Sequence, residues 1–328
     1  MGKFAISARS GYVKSVLTPI HITMHVWNLA TFFSSQNSVI VTIMMAADLA
    51  EFHSPVTDVF ADAAANGDTM ISEEQCAFYR DNGYLSGLRI LDDAQIDALQ
   101  KDLETIMSPG YAADARFYEY HHNESENASK MLFHALGAWR VSRAFHDLIF
   151  YERFVNAAAA LLGGPVRFWH DQIFVKPAHD GGMVAWHQDY SYWTRTIPMQ
   201  HLTCWIALDD STIENGCVHY VPGSHRWDLL PRGPLANDMV SVLDLLTDEQ
   251  KVNSKPVAIE IKAGEASFHH PMMLHGSYEN RSDRPRRAAV LNVIRDGVMS
   301  NSDEPLLAGV PPIPKGEKIS GRFFPLLT

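Results

Sequence analysis

The chain reads as a mostly β protein with flanking helices, built around an antiparallel barrel or jelly roll. Three observations predict this. Short strand-like runs at 166–175, 201–208, 217–221, 257–261, 266–270 and 288–294 are separated by turns containing Gly, Pro, Asn and Asp. Helical apolar spacing is confined to the stretch before them. With 328 residues, 46% hydrophobic and 20% charged, the chain can bury one large core without needing a second domain.

The elements follow in order. Residues 1–47 carry Lys3, Arg9 and Lys14 but no acid, whereas the 38 acids of the chain begin at Asp48. Such a leader reads equally well as an organelle transit peptide or as sequence upstream of a start at Met44 or Met45. Its apolar run at 39–45 is too short for a bilayer, which takes about 20 residues. Residues 48–68, rich in Ala and Asp and ending in Asn66-Gly67-Asp68, read as a linker, which leaves 69–328 as a single domain. Ser72-Glu73-Glu74-Gln75 is a capping box that opens a helix ended by Gly83. A second helix is predicted over 92–107 from Ile96, Leu99, Leu103 and Ile106, and helical spacing returns over 144–162. The polar stretch around His121 and His122 reads as a solvated loop, and Arg140, Arg143 and Arg226 read as surface residues. Within the β region, Asn215-Gly216 is the strongest hairpin signal. Residues 226–255 interrupt the strands, with a short helix expected over 242–250; insertions of this length usually act as lids or binding loops.

Composition narrows the function. A net charge of −11 opposes nucleic-acid binding, which needs a basic face. Three cysteines, Cys76, Cys204 and Cys217, form neither a disulfide framework nor a zinc knuckle and read as reduced and mostly buried.

The chemistry centres on Trp186-His187-Gln188-Asp189-Tyr190. In an extended strand alternate side chains share a face, so His187 and Asp189 can grip one metal ion, with His275 as a third ligand from far along the chain. Two histidines and one carboxylate leave open positions, the arrangement of non-haem Fe(II) oxygenases. With 16 His and 38 acids, His-x-Asp alone arises easily by chance. Arg286, eleven residues after His275, adds weight because its planar fork suits a carboxylate of 2-oxoglutarate. On a strand Arg287 must face the other way.

These pieces together resemble the phytanoyl-CoA dioxygenase family of Fe(II)/2-oxoglutarate oxygenases. The resemblance covers about 70–298 and rests on seven ordered motifs. They are Ile71-Ser72-Glu73-Glu74-Gln75, Val175-Lys176-Pro177, His187-Gln188-Asp189, Glu214-Asn215-Gly216-Cys217, Val221-Pro222-Gly223-Ser224-His225, His275-Gly276-Ser277 and Arg286-Arg287-Ala288. It implies a double-stranded β-helix (jelly-roll, cupin-like) core, with Fe(II), 2-oxoglutarate and O2 as metal, co-substrate and oxidant. It also implies hydroxylation of a small-molecule C–H bond, with 2-oxoglutarate decarboxylated to succinate and CO2. Related halogenases replace the metal-binding carboxylate by a small residue; Asp189 is retained here, so hydroxylation is the default. His275 is preferred over His269 and His270 because Gly276-Ser277 follow it as in the family.

The resemblance assigns co-substrate contacts to Gln172, Trp205, Ser277 and Lys130. Trp205 reads equally as a core aromatic, and Lys130 rather as an exposed lysine. Tyr190, Tyr192, Trp193 and Arg195 are expected at the barrel mouth, around a small carboxylate, a phosphonate or an acyl thioester. The rivals are a non-catalytic metal- or ligand-binding member of the fold and a zinc hydrolase using the same three ligands. A cytoplasmic location is expected, or an organelle matrix if 1–47 is a genuine transit peptide; oligomeric state is not encoded legibly.

Overall fold

The computed structural model describes residues 47–61, 71–125, 127–236 and 238–328. The expected leader, apart from Ala47, and the turn at 66–68 lie outside the described residues.

Helix α1 (Glu73–Asn82) carries the capping box: Ser72 Oγ accepts from Gln75 N (3.2 Å), and Gln75 Oε1 accepts from Ser72 N (2.9 Å). It ends at Gly83, φ 80°, a left-handed position that glycine adopts without penalty. Strand β1 (Tyr84–Arg89) leads to α2 (Asp93–Ile106), whose Ile96, Leu99, Leu103 and Ile106 are buried as their spacing predicts. Strands β2 (Glu119–His121) and β3 (Phe133–Leu136) follow, so His121, expected in a loop, lies on a short edge strand, though exposed. The single helix expected over 144–162 is two, α3 (Arg143–Leu148) and α4 (Glu152–Leu162). The break is Tyr151, which takes extended backbone and packs its ring on Phe60 at 5.2 Å.

The strand region comprises β4 (Val166–Lys176), β5 (Val184–His187), β6 (Thr196–Ile197), β7 (His201–Ala207) and β8 (Val218–Tyr220). Helices α5 (Ser241–Asp244) and α6 (Asp248–Asn253) replace the one expected over 242–250. Then come β9 (Val257–Ala258), β10 (Glu265–His269), β11 (His275–Ser277), β12 (Arg286–Arg295) and β13 (Met299–Ser300).

Among the described residues a seven-stranded sheet, order β1-β10-β7-β12-β4-β3-β2, is joined by a four-stranded sheet, order β5-β11-β8-β9; β6 and β13 pair separately. All these pairings are antiparallel, giving the jelly-roll core of a double-stranded β-helix. The strand period of two divides the residues of the large sheet. Ile173 on β4, Cys204 and Ile206 on β7, and Ala289 and Leu291 on β12 pack in one core with helix residues such as Leu103, Phe145 and Phe154. Their strand neighbours Phe174, Trp205, Ala207, Ala288 and Val290 pack instead with Val184, Val218 and Tyr220 of the smaller sheet.

Asn215-Gly216 is a tight turn but not a hairpin, because the strands it links, β7 and β8, belong to different sheets. Gly216, φ 81°, lies so close to the Tyr278 carbonyl that a Cβ would collide with it.

The segment expected as a linker is packed where it is described. Leu49 and Ala50 are buried, and Asp48 pairs with Arg140 (2.5 Å) and with Arg322. Arg140, expected at the surface, is therefore a buried partner of this segment. Asp147 accepts from the backbone of Val56 and Thr57, both at 2.8 Å. One acid of this stretch, Asp48, is a half-buried acceptor, and the backbone of Val56 and Thr57 is tied to Asp147, which composition alone does not reveal.

Candidate functional site

His187 ends β5 and His275 opens β11; the two are register partners, which brings residues far apart in the chain to a ring separation of 4.1 Å. Asp189, expected on the same strand, lies two residues beyond the end of β5, in a 3-10 turn (Asp189–Tyr192). Gln188 between them remains extended (φ −115°, ψ 128°), so the expected common face is preserved. Its side chain points the other way, donating to the Met272 carbonyl (3.0 Å) and accepting from Leu230 N (2.7 Å). This clamps the 226–255 insertion beneath the motif, where Leu230, Val242 and Leu246 pack with Trp186, Val221 and Leu274.

Hydrogen bonds at the back of each side chain determine which atoms remain free. Nδ1 of His187 faces the Ala185 carbonyl at 2.7 Å and Nδ1 of His275 the Met273 carbonyl at 2.9 Å. A carbonyl can only accept, so both Nδ1 atoms carry the proton and both Nε2 atoms present lone pairs. Asp189 Oδ2 accepts from Thr203 Oγ1 (2.7 Å) and lies 3.0 Å from His269 Nε2, which leaves Oδ1 free. Oδ1 is 3.4 Å from His187 Nε2 and 3.7 Å from His275 Nε2. Lone pairs converging without a hydrogen between them repel unless they share a cation, and the three ligand atoms fit one metal ion within 4.8 Å of one another.

Burial by itself would raise the Asp189 carboxyl; positive charge and hydrogen bonding from His275, His187 and His269, when these imidazoles are protonated, outweigh it and hold the group well below the usual carboxylate range. Burial lowers His275 well below its ordinary value, keeping the imidazole neutral as a ligand must be.

The triad opens into a cavity of about 770 Å³. Gln172, Trp205, Ser277 and Arg286 all line it, as do Tyr192, Trp193 and Arg195. Arg286 is buried over the face of Trp205, 5.2 Å from the ring centroid, and its Nε and Nη1 have no hydrogen-bond partner among the described residues. Burial pushes this guanidinium down to about 10, still charged at neutral pH. Orphaned donors on a buried cation fit the distal carboxylate of 2-oxoglutarate. Arg287 faces outward and forks onto Asp209 at 2.9 and 2.7 Å.

Two expected residues fall outside this lining. Lys130 pairs with Glu279 at 3.2 Å, and Tyr190 gives its hydroxyl to the Thr196 carbonyl at 2.7 Å with its ring against His201. Arg195 reaches the cavity but spends its guanidinium on the Pro305 and Leu306 carbonyls. Sequence reasoning passed over Glu124, His134 and His170, which also line the cavity, and the Asp189 supports Thr203 and His269. His269 on β10 has no strand neighbour recognised from the sequence, but His170 and Thr203 share an inward strand face with the recognised residues Gln172 on β4 and Trp205 on β7. That period was the available signal.

The sequence model of the phytanoyl-CoA dioxygenase family matches residues 79–288. The Dictyostelium discoideum phytanoyl-CoA dioxygenase domain-containing protein 1 homolog is 33% identical over 175 residues, 52% of this chain and only 59% of that protein. The Arabidopsis thaliana phytanoyl-CoA dioxygenase is 28% identical over 255 residues, covering 68% of this chain and 89% of the relative. Among solved structures, the epimerase SnoN in complex with Fe3+, alpha ketoglutarate and nogalamycin RO superimposes with a TM-score of 0.65 at 23% identity, over 78% of this chain and 98% of that one. That likeness speaks to the fold. With the family match spanning most of the chain and a two-histidine, one-carboxylate cluster at its centre, this chain belongs to the phytanoyl-CoA dioxygenase family of Fe(II)- and 2-oxoglutarate-dependent enzymes.

Proposed function

We propose that this enzyme hydroxylates a C–H bond of a small-molecule metabolite, with His187, Asp189 and His275 holding Fe(II) and Arg286 holding the distal carboxylate of 2-oxoglutarate. The observation that carries the reading is the division of labour among donor atoms: both Nδ1 atoms and Asp189 Oδ2 are occupied elsewhere, and three atoms face one point. Fe(II), when bound, supplies O2 activation coupled to decarboxylation of 2-oxoglutarate to succinate and CO2.

The protein's own contribution is orientation and exclusion of water. Trp205 and Arg286, stacked on one another, line the cavity together with Gln172 and Ser277. Tyr192 leans on His187, ring centroids 5.9 Å apart, and the Arg232 guanidinium lies over the Tyr192 ring, 4.4 Å from its centroid. Glu124 and His134, 3.2 Å apart, contribute a polar wall. Mixed apolar and charged walls favour a compact polar metabolite.

The test is anaerobic addition of Fe(II) and 2-oxoglutarate, expected to give a weak visible charge-transfer band, followed by a metabolite screen scored by O2-dependent succinate release. An iron-loaded protein without the band would count heavily against the assignment of Arg286 and the triad.

A further inference from the structure

Two basic side chains, one of them lining the cavity, lie side by side in the sheet. In the β4–β12 register Lys176 is opposite Arg286, and their exposures are 0% and 1%. Adjacent buried cations are costly, since each loses hydration and repels the other. No carboxylate among the described residues forms an ion pair with either, and Glu279, the acid nearest the contacts of Lys176 in sequence, is held by Lys130.

Lys176 Nζ sits in a cage of three acceptors. It donates to the Ser277 hydroxyl oxygen (2.7 Å), the Ser277 carbonyl (3.2 Å) and the Tyr278 carbonyl. Burial and the neighbouring Arg286 push this amine well below its ordinary value, and the cage opposes that push, since its three acceptors match the three hydrogens of an ammonium group. An ammonium has no lone pair, so in its bond with Ser277 the hydroxyl can only accept. The hydroxyl hydrogen must then point elsewhere. Ser277 and Arg286 line the same cavity, and no acceptor among the described residues takes that hydrogen.

We propose that Lys176 is a positioning residue for the co-substrate: by occupying a lone pair of Ser277 Oγ it makes that hydroxyl an obligate donor, aimed with Arg286 at the distal carboxylate of 2-oxoglutarate. The inference rests on the Fe(II)/2-oxoglutarate reading above. The motif Val175-Lys176-Pro177 thereby acquires a physical task, since the lysine is neither a member of the metal cluster nor itself part of the cavity lining and reaches the site through Ser277.

The test measures binding rather than turnover. Mn(II)-loaded protein is titrated without O2, by calorimetry, with 2-oxoglutarate and with pyruvate, which keeps the 2-oxo acid head but lacks the distal carboxylate. Lys176→Met should weaken 2-oxoglutarate by about tenfold or more, the scale of one hydrogen bond to a charged group, while pyruvate and Mn(II) affinities hold within about threefold. Equal weakening of both acids would mark a merely structural lysine, and unchanged 2-oxoglutarate binding would show that the cage does not act on the site. Either result overturns the proposal. If Lys176→Met does not fold, Ser277→Ala decides: it should weaken 2-oxoglutarate selectively, and unaltered affinity there leaves nothing for Lys176 to position. A wild-type protein that binds neither acid would instead remove the co-substrate reading itself, and this inference with it.

Discussion

The two faces of the seven-stranded sheet are made from the same strands and follow different rules. Toward the helices, Phe168, Ile173, Cys204, Ile206 and Leu291 are fully buried among other apolar side chains. Toward the cavity, those strands bury Lys176, Thr203, His269, Arg286 and Asn292. The first face stabilises the fold by removing apolar surface from water, worth about 1.5–3 kcal/mol for each large side chain. The second buries polar groups, which is tolerable only where each has a partner or awaits a ligand. The alternation of consecutive residues thus separates stability from chemistry, and a slip of one residue would exchange the two.

The largest expected effect that separates the faces is at adjacent positions of β12. Arg286→Ala should raise the apparent 2-oxoglutarate constant roughly 30-fold to several-thousand-fold, from about 2–5 kcal/mol for a desolvated charge-assisted pair, while metal still binds. Arg287→Ala, losing an outward pair with Asp209, should change it little. Similar behaviour of the two variants in a titration with 2-oxoglutarate would mean the faces are not separated at this end of the strand.

On the helix-facing side the same comparison runs in reverse. Leu291→Ala should cost about 2–5 kcal/mol of unfolding free energy in a urea titration. The 2-oxoglutarate affinity of the folded protein should stay at the wild-type value. A large affinity loss at unchanged stability would contradict the division.

A smaller effect probes the support behind the metal cluster. Thr203→Val keeps the shape but removes the hydroxyl that donates to Asp189 Oδ2. Metal affinity, measured by chelator competition, should fall about 10- to 100-fold, as losses of such supporting bonds typically do. An unchanged affinity would leave His269 as the sole effective support.

The smallest effect concerns acid. His201 is buried, its ring stacked on Trp193 at 5.3 Å, and burial pushes its imidazole down to about 3. Its folded pKa lies below the unfolded value near 6.5, so between these values the unfolded chain binds a proton that the folded chain does not. The stability due to neutral His201 is complete above about pH 6.5 and declines as pH falls, by about 1.4 kcal/mol per pH unit. His170 and His270, both pushed by burial to about 4, act in the same direction. His201→Phe should flatten the pH dependence of unfolding between about pH 4 and 6 by that amount; a slope equal to wild type would show that His201 is not buried neutral.

Much of this was legible in advance. The long strands β4, β7 and β12, the Ser72–Gln75 capping box and the Gly83 stop are written in consecutive residues. So is the opposed facing of Arg286 and Arg287. The errors share one cause. The 48–68 stretch, Asn215-Gly216 and Arg140 were judged by local composition, yet their roles depend on partners elsewhere: Asp48 needs Arg140, and a turn becomes a hairpin only if its strands pair. Lys130, assigned by the family resemblance, and Tyr190, expected at the barrel mouth, spend their polar atoms on Glu279 and Thr196.

By itself the sequence determined the class of fold, the face of each strand and the residue types able to hold a metal, because period, turn chemistry and ligand spacing are local properties. Only the tertiary structure decided that His275 stands opposite His187, and that Lys176 reaches Ser277 across a sequence separation of 101 residues. Only the tertiary structure decided which donors remain unpaired. Such contacts arise from closure of two sheets on one another, and closure depends on every strand register at once rather than on any single stretch of chain.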